Sequence, residues 1–339
     1  MTPETKTYDL VSMGRSSIDL YSADVGAPFV DITKFDAFVG GCPTNVAVAA
    51  ARQGLRTALV TGLGPDPVGD FLEKFLLKER VDMNFSPRKP GKRTSAVVLG
   101  IEPPDRFPLV YYREGCADIE LTIDDVQAAP LSDTRALLIS GTGLSREPSR
   151  SATMFAAEQA RAHGAIVYLD IDFRADQWHD PRAFGVVIRS TLPWIDVVIG
   201  SEEEIKASAV TEASQVVIEH SQISDPKIDG DLKSAIETVL TAGSGSLVLK
   251  QGQEGATVYL PDGEVIEAAP FQVEVLNILG AGDAFAGGLI SARTRGLDWY
   301  QSLRTANANG AIVVTKSGCA NFMPTEKETH AFIQSQGGF

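Results

Sequence analysis

The segment Gly-Ala-Gly-Asp at residues 280–283 combines residue types that could transfer an anionic group. It opens a run of small and apolar residues that predicts a helix over 281–294. Small residues at a helix start leave backbone N–H groups accessible, and the helix dipole adds partial positive charge, so the segment could hold a phosphoryl group. Asp283 could accept a proton from an attacking hydroxyl. A tight turn with an acidic helix cap would use the same residues, so both interpretations stay open.

A second pair of glycines, Gly40 and Gly41, precedes a predicted alanine-rich helix over 44–53. Asn45 falls in the first turn of that helix, where its amide and the backbone could bind the hydroxyls of a polar ligand. Asp19 follows the first predicted strand and could accept hydrogen bonds from the same ligand. The structural alternatives are a turn with a cap for the glycines and a solvated loop acid for Asp19.

Short apolar strands alternate with helices along most of the chain. Strands are predicted at 8–14, 58–61, 136–140, 166–170, 196–200 and 246–250, and helices at 44–53, 68–79, 149–163, 233–242, 281–294 and 300–314, the last two closing the chain. This alternation predicts an α/β fold with a mainly parallel sheet covered by helices on both faces. Ligands of such sheets bind at the carboxyl ends of the strands. Lys250, Gly252 and Gly255 follow a strand in this way and suit the rim of a nucleotide site.

Three segments do not follow this alternation of strands and helices. Segments 16–38 and 93–114 are expected to form a small separate sheet, and the polar, aperiodic segment 208–230 is expected to be a surface insertion. The length of 339 residues suits one large domain over 1–339 that carries such an appendage.

The composition excludes several classes of partner. The formal net charge of −14 argues against a nucleic-acid partner and against docking on an anionic membrane, because both need a basic face. The three cysteines form no Cys-x-x-Cys pair, and the sequence has no apolar signal region, so we expect reduced thiols and a cytoplasmic protein. The common phosphate loop, Gly-x-x-x-x-Gly-Lys-Ser/Thr, is absent, and no Gly-x-Gly-x-x-Gly follows the first strand.

The two glycine-rich segments, in this order and separation, resemble the two signatures of the ribokinase/PfkB family of carbohydrate kinases. The N-terminal signature is similar to Gly40-Gly41 with Asn45, and the C-terminal signature is similar to N-I-L-G-A-G-D-A-F-A-G-G-L-I. The resemblance covers roughly residues 8–324. It implies a ribokinase-like three-layer α/β/α fold with a small β-sheet lid, ATP-dependent phosphorylation of a sugar-like hydroxyl, Mg²⁺ as the metal, and a possible homodimer through the lid.

The resemblance also implies roles for individual residues. Asp283 would be the base, and the N–H groups of Ala281, Gly282 and Asp283, after Gly280, would form the anion hole of the catalytic site. The two lid segments would close over the sugar and exclude water. The residues expected to contact the substrate are Asp19, Arg15, Gly40, Gly41, Asn45, Arg113 and Arg174. Those expected on the nucleotide side are Ser201, Lys250, Gly252, Gly255 and Asn307, and Glu204 would act on Mg²⁺ through water.

Two positions depart from the family pattern. Ser201 stands where the family carries an asparagine, which puts that nucleotide contact in question. Asn277, followed by Ile278, stands where the family often has an aspartate that helps to hold a monovalent cation. A neutral amide binds K⁺ less well than a carboxylate, so we expect weak or absent activation by K⁺.

Three arginines at predicted strand ends, Arg15, Arg113 and Arg174, indicate the substrate class. We expect them near one mouth, where a guanidinium would match a carboxylate; surface ion pairs are the alternative. The segments D-F-R…W and Y-Y-R resemble the branch of the family that phosphorylates keto-deoxy sugar acids.

The segment G-R-S-S-I-D-L at residues 14–20 most resembles family members that phosphorylate the 6-hydroxyl of 5-dehydro-2-deoxy-D-gluconate, a step of myo-inositol catabolism. The alternatives are 2-keto-3-deoxygluconate and then fructose or ribose, which need no arginine. A sugar-binding regulator without catalysis is a further alternative, although Asp283 and its glycines are intact.

Overall fold

A computed structural model describes residues 6–102, 106–218, 226–316 and 319–339. Its strands are β1 (Leu10–Met13), β2 (Ser17–Ser22), β3 (Phe35–Gly40), β4 (Thr57–Val60), β5 (Val81–Asp82), β6 (Ser95–Leu99), β7 (Leu109–Tyr112), β8 (Ala136–Ser140), β9 (Ile166–Asp170), β10 (Val197–Ser201), β11 (Val216–Val217), β12 (Lys227–Ile228), β13 (Ser246–Lys250), β14 (Ala256–Tyr259) and β15 (Val265–Ala268). Its helices are α1 (Cys42–Arg52), α2 (Pro67–Lys78), α3 (Ile123–Gln127), α4 (Ser149–Ala162), α5 (Pro181–Thr191), α6 (Glu202–Ser208), α7 (Leu232–Thr241), α8 (Ala281–Thr294), α9 (Trp299–Val314) and α10 (Glu326–Ser335).

The large sheet contains every strand of the predicted alternation of strands and helices. Within the described residues its order is β15-β14-β13-β10-β9-β8-β1-β4-β5, and the strands from β13 to β5 pair in parallel. The last two strands at the other edge, β14 and β15, add antiparallel. Because parallel strands end at the same edge, the carboxyl ends of β1, β8, β9, β10 and β13 meet there.

Helices bury both faces of this sheet. In β1, Leu10 packs in the core that includes α1, α8 and α9, whereas Val11 packs in the core that includes α4, α5 and α7. Both side chains are fully buried. The sheet therefore lies between two helical layers, as the alternation of strands and helices predicts. Among the described residues, no helix combines the length and hydrophobicity needed to cross a bilayer.

Segments 16–38 and 93–114 contribute strands to a second sheet. Its order in the described part of the chain is β3-β2-β6-β7, in which β2 and β6 pair in parallel and the outer strands pair antiparallel. Tyr21, Val97 and Leu99 on this sheet are buried and line a pocket together with residues at the carboxyl edge of the main sheet. The second sheet therefore covers the edge at which ligands are expected to bind.

The structure corrects one expectation about chain organisation, and the expectation of a surface insertion at 208–230 stays a prediction. The expectation that α9 closes the chain is wrong, because α10 follows it and begins at a capping box formed by Thr325 and Glu328. In segment 208–230, the described residues include the short antiparallel pair β11 and β12, and Ile228 is buried. Residues 219–225 of that segment lie outside the described part of the chain.

Candidate active site

The start of α8 has the backbone geometry that an anion site needs. Gly280 caps the helix with a φ of +82°, in the left-handed region that favours glycine. The N–H of Ala281 donates to the carbonyl of Ile278 at 3.3 Å. Because this contact uses the amide of Ala281, the next two amides, those of Gly282 and Asp283, are the donors open to an anion.

Asp283 is held by a residue of the other glycine-rich segment. Its Oδ2 accepts a hydrogen bond of 2.7 Å from the Nδ2 of Asn45. Burial raises the pKa of the Asp283 carboxyl to about 6, and the charge of Asp172 adds to this, while hydrogen bonds from Asn45 and Cys42 oppose it. A carboxylate whose pKa lies near neutrality suits a general base.

Gly40 and Gly41 allow the end of β3 to lie against the segment that follows β1. A Cβ on Gly40 would overlap the carboxylate of Asp19, and one on Gly41, whose φ is +105°, would overlap the carbonyl oxygen of Arg15. Asp19 accepts a hydrogen bond of 2.6 Å from Ser17, which in turn accepts one of 2.7 Å from Arg15. Burial raises the pKa of Asp19, although Arg15 opposes the shift. The two glycines thus make room for a buried acid on the pocket wall.

Arg15 and Arg174 line the same pocket as Asp283. The Nη2 of Arg174 lies 2.7 Å from Asp172, and its Nε donates to the hydroxyl of Tyr111 at 3.1 Å. Arg15 lies over the ring of Tyr111, 5.1 Å from its centroid, and its buried Nε has no hydrogen-bond partner among the described residues.

Both guanidinium groups keep their charge inside the protein. Burial acts to lower the pKa of Arg15 and of Arg174, but it is outweighed by the electrostatic influence of Tyr111 and Asp19 on Arg15 and of Asp172 on Arg174, so both pKa values are raised. The pocket therefore presents two fixed cations beside the carboxylate of Asp283.

Arg113 does not line this pocket, although all three arginines were expected near one mouth; its contact with the substrate stays a prediction. Its side chain is buried, lies 2.7 Å from Asp118, and donates to the carbonyl of Thr142 at 3.0 Å. It contacts the hydroxyl of Ser145 at 3.3 Å as well. Arg113 thus ties the end of β7 to the segment after β8, and its charge is already neutralised by a protein carboxylate.

The ends of β9, β10 and β13 bring Asp170, Glu204 and Lys250 together. The Nζ of Lys250 lies 3.4 Å from Asp170 and 3.3 Å from Glu204. Ser201 and Glu204 form a capping box at the start of α6, in which the Glu204 carboxylate accepts the N–H of Ser201 at 2.8 Å. Burial opposes ionisation of Glu204, but Lys250 and Arg174 outweigh it and lower its pKa. An ionised carboxylate is therefore held at the carboxyl edge.

The remaining residues predicted on the nucleotide side shape the loops around β14 and β15. The Nδ2 of Asn307 donates to the carbonyls of Ala268 and Ala269 at 3.1 and 3.0 Å. A Cβ on Gly255, whose φ is +97°, would overlap the carbonyl oxygen of Ala268. Gly252 is exposed and also has a positive φ, of +56°. The geometry shows how Asn307 and Gly255 hold these loops together; their contact with a nucleotide stays a prediction.

Asn277 is the residue for which the sequence predicts weak binding of a monovalent cation. It is buried, and its Oδ1 accepts the N–H of Leu279 at 3.0 Å. Its Nδ2 has no hydrogen-bond partner among the described residues. These contacts agree with the prediction of weak K⁺ binding, which stays a prediction.

Sequence reasoning missed several groups in or beside the pocket. Asp170 ends β9 and Asp172 lies two residues further on; both are buried, and burial raises the pKa of Asp170, although Lys250 opposes the shift. The segment L-D-I-D-F-R could have revealed them, because two acids at the end of a buried strand need a reason to be there. The sequence carried no comparable signal for Cys42, whose Sγ lies within 4.8 Å of carboxylate oxygens of Asp170 and Asp283 in a group that could hold a metal ion.

One pocket unites most of the predicted substrate residues. It lies between the second sheet and the start of α8, and it is lined by Arg15, Asp19, Tyr21, Gly41, Cys42, Asn45, Val97, Leu99, Leu109, Tyr111, Asp172, Arg174, Leu279, Gly280, Asp283 and Cys319. A helix start with open amides, a carboxylate and hydroxyl-binding groups under a small sheet together define a ribokinase-like sugar kinase.

Comparison with known proteins agrees with this class. A model of the family described as pfkB family carbohydrate kinase matches residues 8–326. The chain belongs to this family, so the resemblance of the two signatures, the ribokinase-like fold and the phosphotransferase class are confirmed.

Relatives with assigned activities cover nearly the whole chain. The 5-dehydro-2-deoxygluconokinases of Bacillus anthracis and Clostridium perfringens are each 29% identical to it, over 98% of this chain and 96% and 95% of the relative, respectively. Among solved structures, the ATP-bound fructokinase of Xylella fastidiosa superposes with a TM-score of 0.83 at 25% identity, covering 97% of this chain and 98% of that one. The fructokinase of Vibrio cholerae, bound to fructose, ADP and a potassium ion, has a TM-score of 0.81 at 26% identity, covering 97% and 99%.

Proposed function

We propose that this enzyme transfers a phosphoryl group from ATP to the 6-hydroxyl of 5-dehydro-2-deoxy-D-gluconate. The observation that carries the proposal is the pair of charged guanidinium groups, Arg15 and Arg174, on the wall that also holds Asp283. The buried Nε of Arg15 has no partner among the described residues, which is costly unless a ligand accepts its hydrogen bond. A substrate carboxylate would satisfy it. The relatives named 5-dehydro-2-deoxygluconokinase support the same acid.

Different residues of the pocket would have different roles in the reaction. Asp19 and Asn45 would bind substrate hydroxyls, and Asp283 would take the proton of the 6-hydroxyl as its oxygen forms a bond to the γ-phosphorus. The bond between that phosphorus and the β–γ bridging oxygen breaks, and ADP leaves with the electron pair. The amides of Gly282 and Asp283 would stabilise the charge on the phosphoryl oxygens in transit. The second sheet would act as the lid that excludes water.

The nucleotide and its metal would lie at the ends of β10 and β13. Ser201, Lys250, Gly252, Gly255 and Asn307 are the proposed nucleotide-side residues. The ionised carboxylate of Glu204 suits Mg²⁺, a hard cation that keeps several waters, and would act on it through water. When bound, Mg²⁺ would neutralise charge on the phosphate oxygens. The proposed location is the cytoplasm, where ATP is abundant.

Pairing of two copies through the lid is the proposed assembly. Val110 and Tyr112 of β7 are exposed on the second sheet, as is Phe35 of β3. An apolar outer face on a small sheet is typical of a surface that another protein covers. Sedimentation of the purified enzyme tests this directly, and a monomer at micromolar concentration would contradict it.

A substrate panel tests the proposed function. ADP release would be followed with 5-dehydro-2-deoxy-D-gluconate, 2-keto-3-deoxygluconate, fructose and ribose, each with ATP and Mg²⁺. The proposal expects the highest kcat/KM for 5-dehydro-2-deoxy-D-gluconate and poor turnover of the neutral sugars. The second candidate is 2-keto-3-deoxygluconate, because the same arginines suit its carboxylate. Turnover of none of the four, with tight binding of a sugar acid, would point to a regulator instead.

A further inference from the structure

Lys250 reaches the start of α8 from the end of β13. Its Nζ lies 3.3 Å from the position that a Cβ would occupy on Gly282. The ammonium group therefore stands beside one of the amides that open α8, where the anion site is proposed. Gly282 leaves this approach open, because any side chain there would come into contact with the lysine.

The ammonium group is shared between two acids and is held tightly by neither. Its Nζ lies 3.4 and 3.5 Å from the two carboxylate oxygens of Asp170 and 3.3 Å from Glu204. Charge-assisted hydrogen bonds between an ammonium and a carboxylate usually measure about 2.7–2.9 Å. An ammonium group has three donors. Lys250 is thus placed to turn a donor toward an anion at the helix start.

The charges around the helix start favour a cation in this place. Asp170 and Asp172 are buried near Asp283, and a phosphoryl group would bring further negative charge into the same space. Arg15 and Arg174 line the pocket assigned to the sugar acid. Lys250 contacts Asp170 and Glu204 instead, on the side assigned to the nucleotide.

We propose that Lys250 is a catalytic residue, whose ammonium group donates a hydrogen bond to the transferring phosphoryl group beside the amide of Gly282. The inference rests on the proposed kinase function and deepens it. The lysine stays protonated throughout, so the bond changes and the proton transfer to Asp283 are those already described. Its contribution is electrostatic and greatest when charge is spread over the phosphoryl oxygens.

The first experiment measures turnover of K250M and K250R with ATP, Mg²⁺ and the sugar acid. We expect K250M to lower kcat by about 10²–10³-fold, as loss of one donor to a transition-state anion does, with the KM for the sugar acid within a few-fold of wild type. K250R keeps the charge and should retain more activity. If Lys250 only neutralises Asp170, the double variant K250M/D170N should be as active as D170N. The proposal expects it to remain far slower than D170N.

The second experiment is a binding measurement, which decides the question even where D170N is itself inactive. Affinities for ADP alone and for ADP with aluminium fluoride, a mimic of the phosphoryl group in transit, would be compared by calorimetry in the presence of Mg²⁺ and sugar acid. K250M should bind ADP within a few-fold of wild type but lose about 10²-fold of the preference for the fluoride complex. An unchanged preference would overturn the role of Lys250. Absence of wild-type turnover with every sugar acid would overturn the proposed function instead.

Discussion

The amide of Asn45 donates to the carboxylate of Asp283 across 2.7 Å, although 238 residues separate the two in the chain. Each residue belongs to a glycine-rich helix start, Asn45 to that of α1 and Asp283 to that of α8. The contact joins the substrate-binding signature to the phosphoryl-transfer signature. It also fixes the orientation of the carboxylate that is proposed to take the proton.

Removal of the base is the first prediction. D283N should lower kcat by about 10²–10⁴-fold, because an amide cannot accept the proton of the attacking hydroxyl, while ATP binding should be nearly kept. Turnover and nucleotide titration check both parts. Glu237 is exposed on α7, so E237Q serves as a control for loss of one negative charge and should match wild type. A D283N enzyme within a few-fold of wild type would remove Asp283 from the mechanism.

The raised pKa of Asp283 predicts the pH dependence of turnover. The base works only when it is ionised, and burial raises its pKa to about 6. At saturation with both substrates, kcat should be level above about pH 7 and fall roughly tenfold per unit well below pH 6. Circular dichroism at each pH separates this from acid unfolding. A kcat that stays level down to pH 4.5 in the folded enzyme would contradict the assignment.

The arginines of the pocket predict selectivity for an acid. R15M and R174M should each reduce kcat/KM for the sugar acid by about 10–100-fold, the equivalent of a lost hydrogen bond to a charged group. Turnover of the neutral reduced analogue should change far less, since it offers no carboxylate. The ratio of the two kcat/KM values is the measurement. Equal losses for the acid and the neutral analogue would count against carboxylate recognition.

Arg113 should behave differently, because its partner is inside the protein. R113M leaves Asp118 as an uncompensated buried charge, which costs about 3–5 kcal/mol of the free energy of unfolding. Urea unfolding measures the loss, and R113M/D118N should recover part of it. The preference of the folded enzyme for the acid over its neutral analogue should remain. A selective loss of that preference would restore Arg113 as the carboxylate-reading residue.

The amide of Asn277 predicts little dependence on a monovalent cation. Its Oδ1 is used by Leu279, and its Nδ2 is a donor without a partner in the described residues. Activity in K⁺ and in tetramethylammonium should therefore be similar. N277D places a carboxylate there and should raise the ratio of the two activities. Strong K⁺ dependence of the wild-type enzyme would refute this prediction.

The sequence predicts the regular part of the fold well. The bounds of β8, β9, β13 and α8 agree with the expected ones, since each consists mostly of apolar or small residues. By contrast, α5 was not predicted from the sequence: it contains Gly185, a weak helix former, and it is stabilised by burial of Phe184 and Ile188.

The candidate site is predictable only where a motif is local. The Gly40-Gly41 pair and the segment Gly280–Asp283 can be recognised in the sequence, because the spacing of their residues forms the motif. The separation of Arg113 from Arg174 cannot, since it depends on how the end of β7 packs against the segment after β8. Recruitment of Lys250 to the start of α8 also requires the order of the sheet.

A crystal structure of the enzyme with ADP, aluminium fluoride, Mg²⁺ and 5-dehydro-2-deoxy-D-gluconate is the most direct test of the central claim. The fluoride group should lie against the amides of Gly282 and Asp283, with the 6-hydroxyl of the acid in hydrogen-bond contact with the Asp283 carboxylate. Placement of that group away from the start of α8, or of the 6-hydroxyl away from Asp283, would contradict the account.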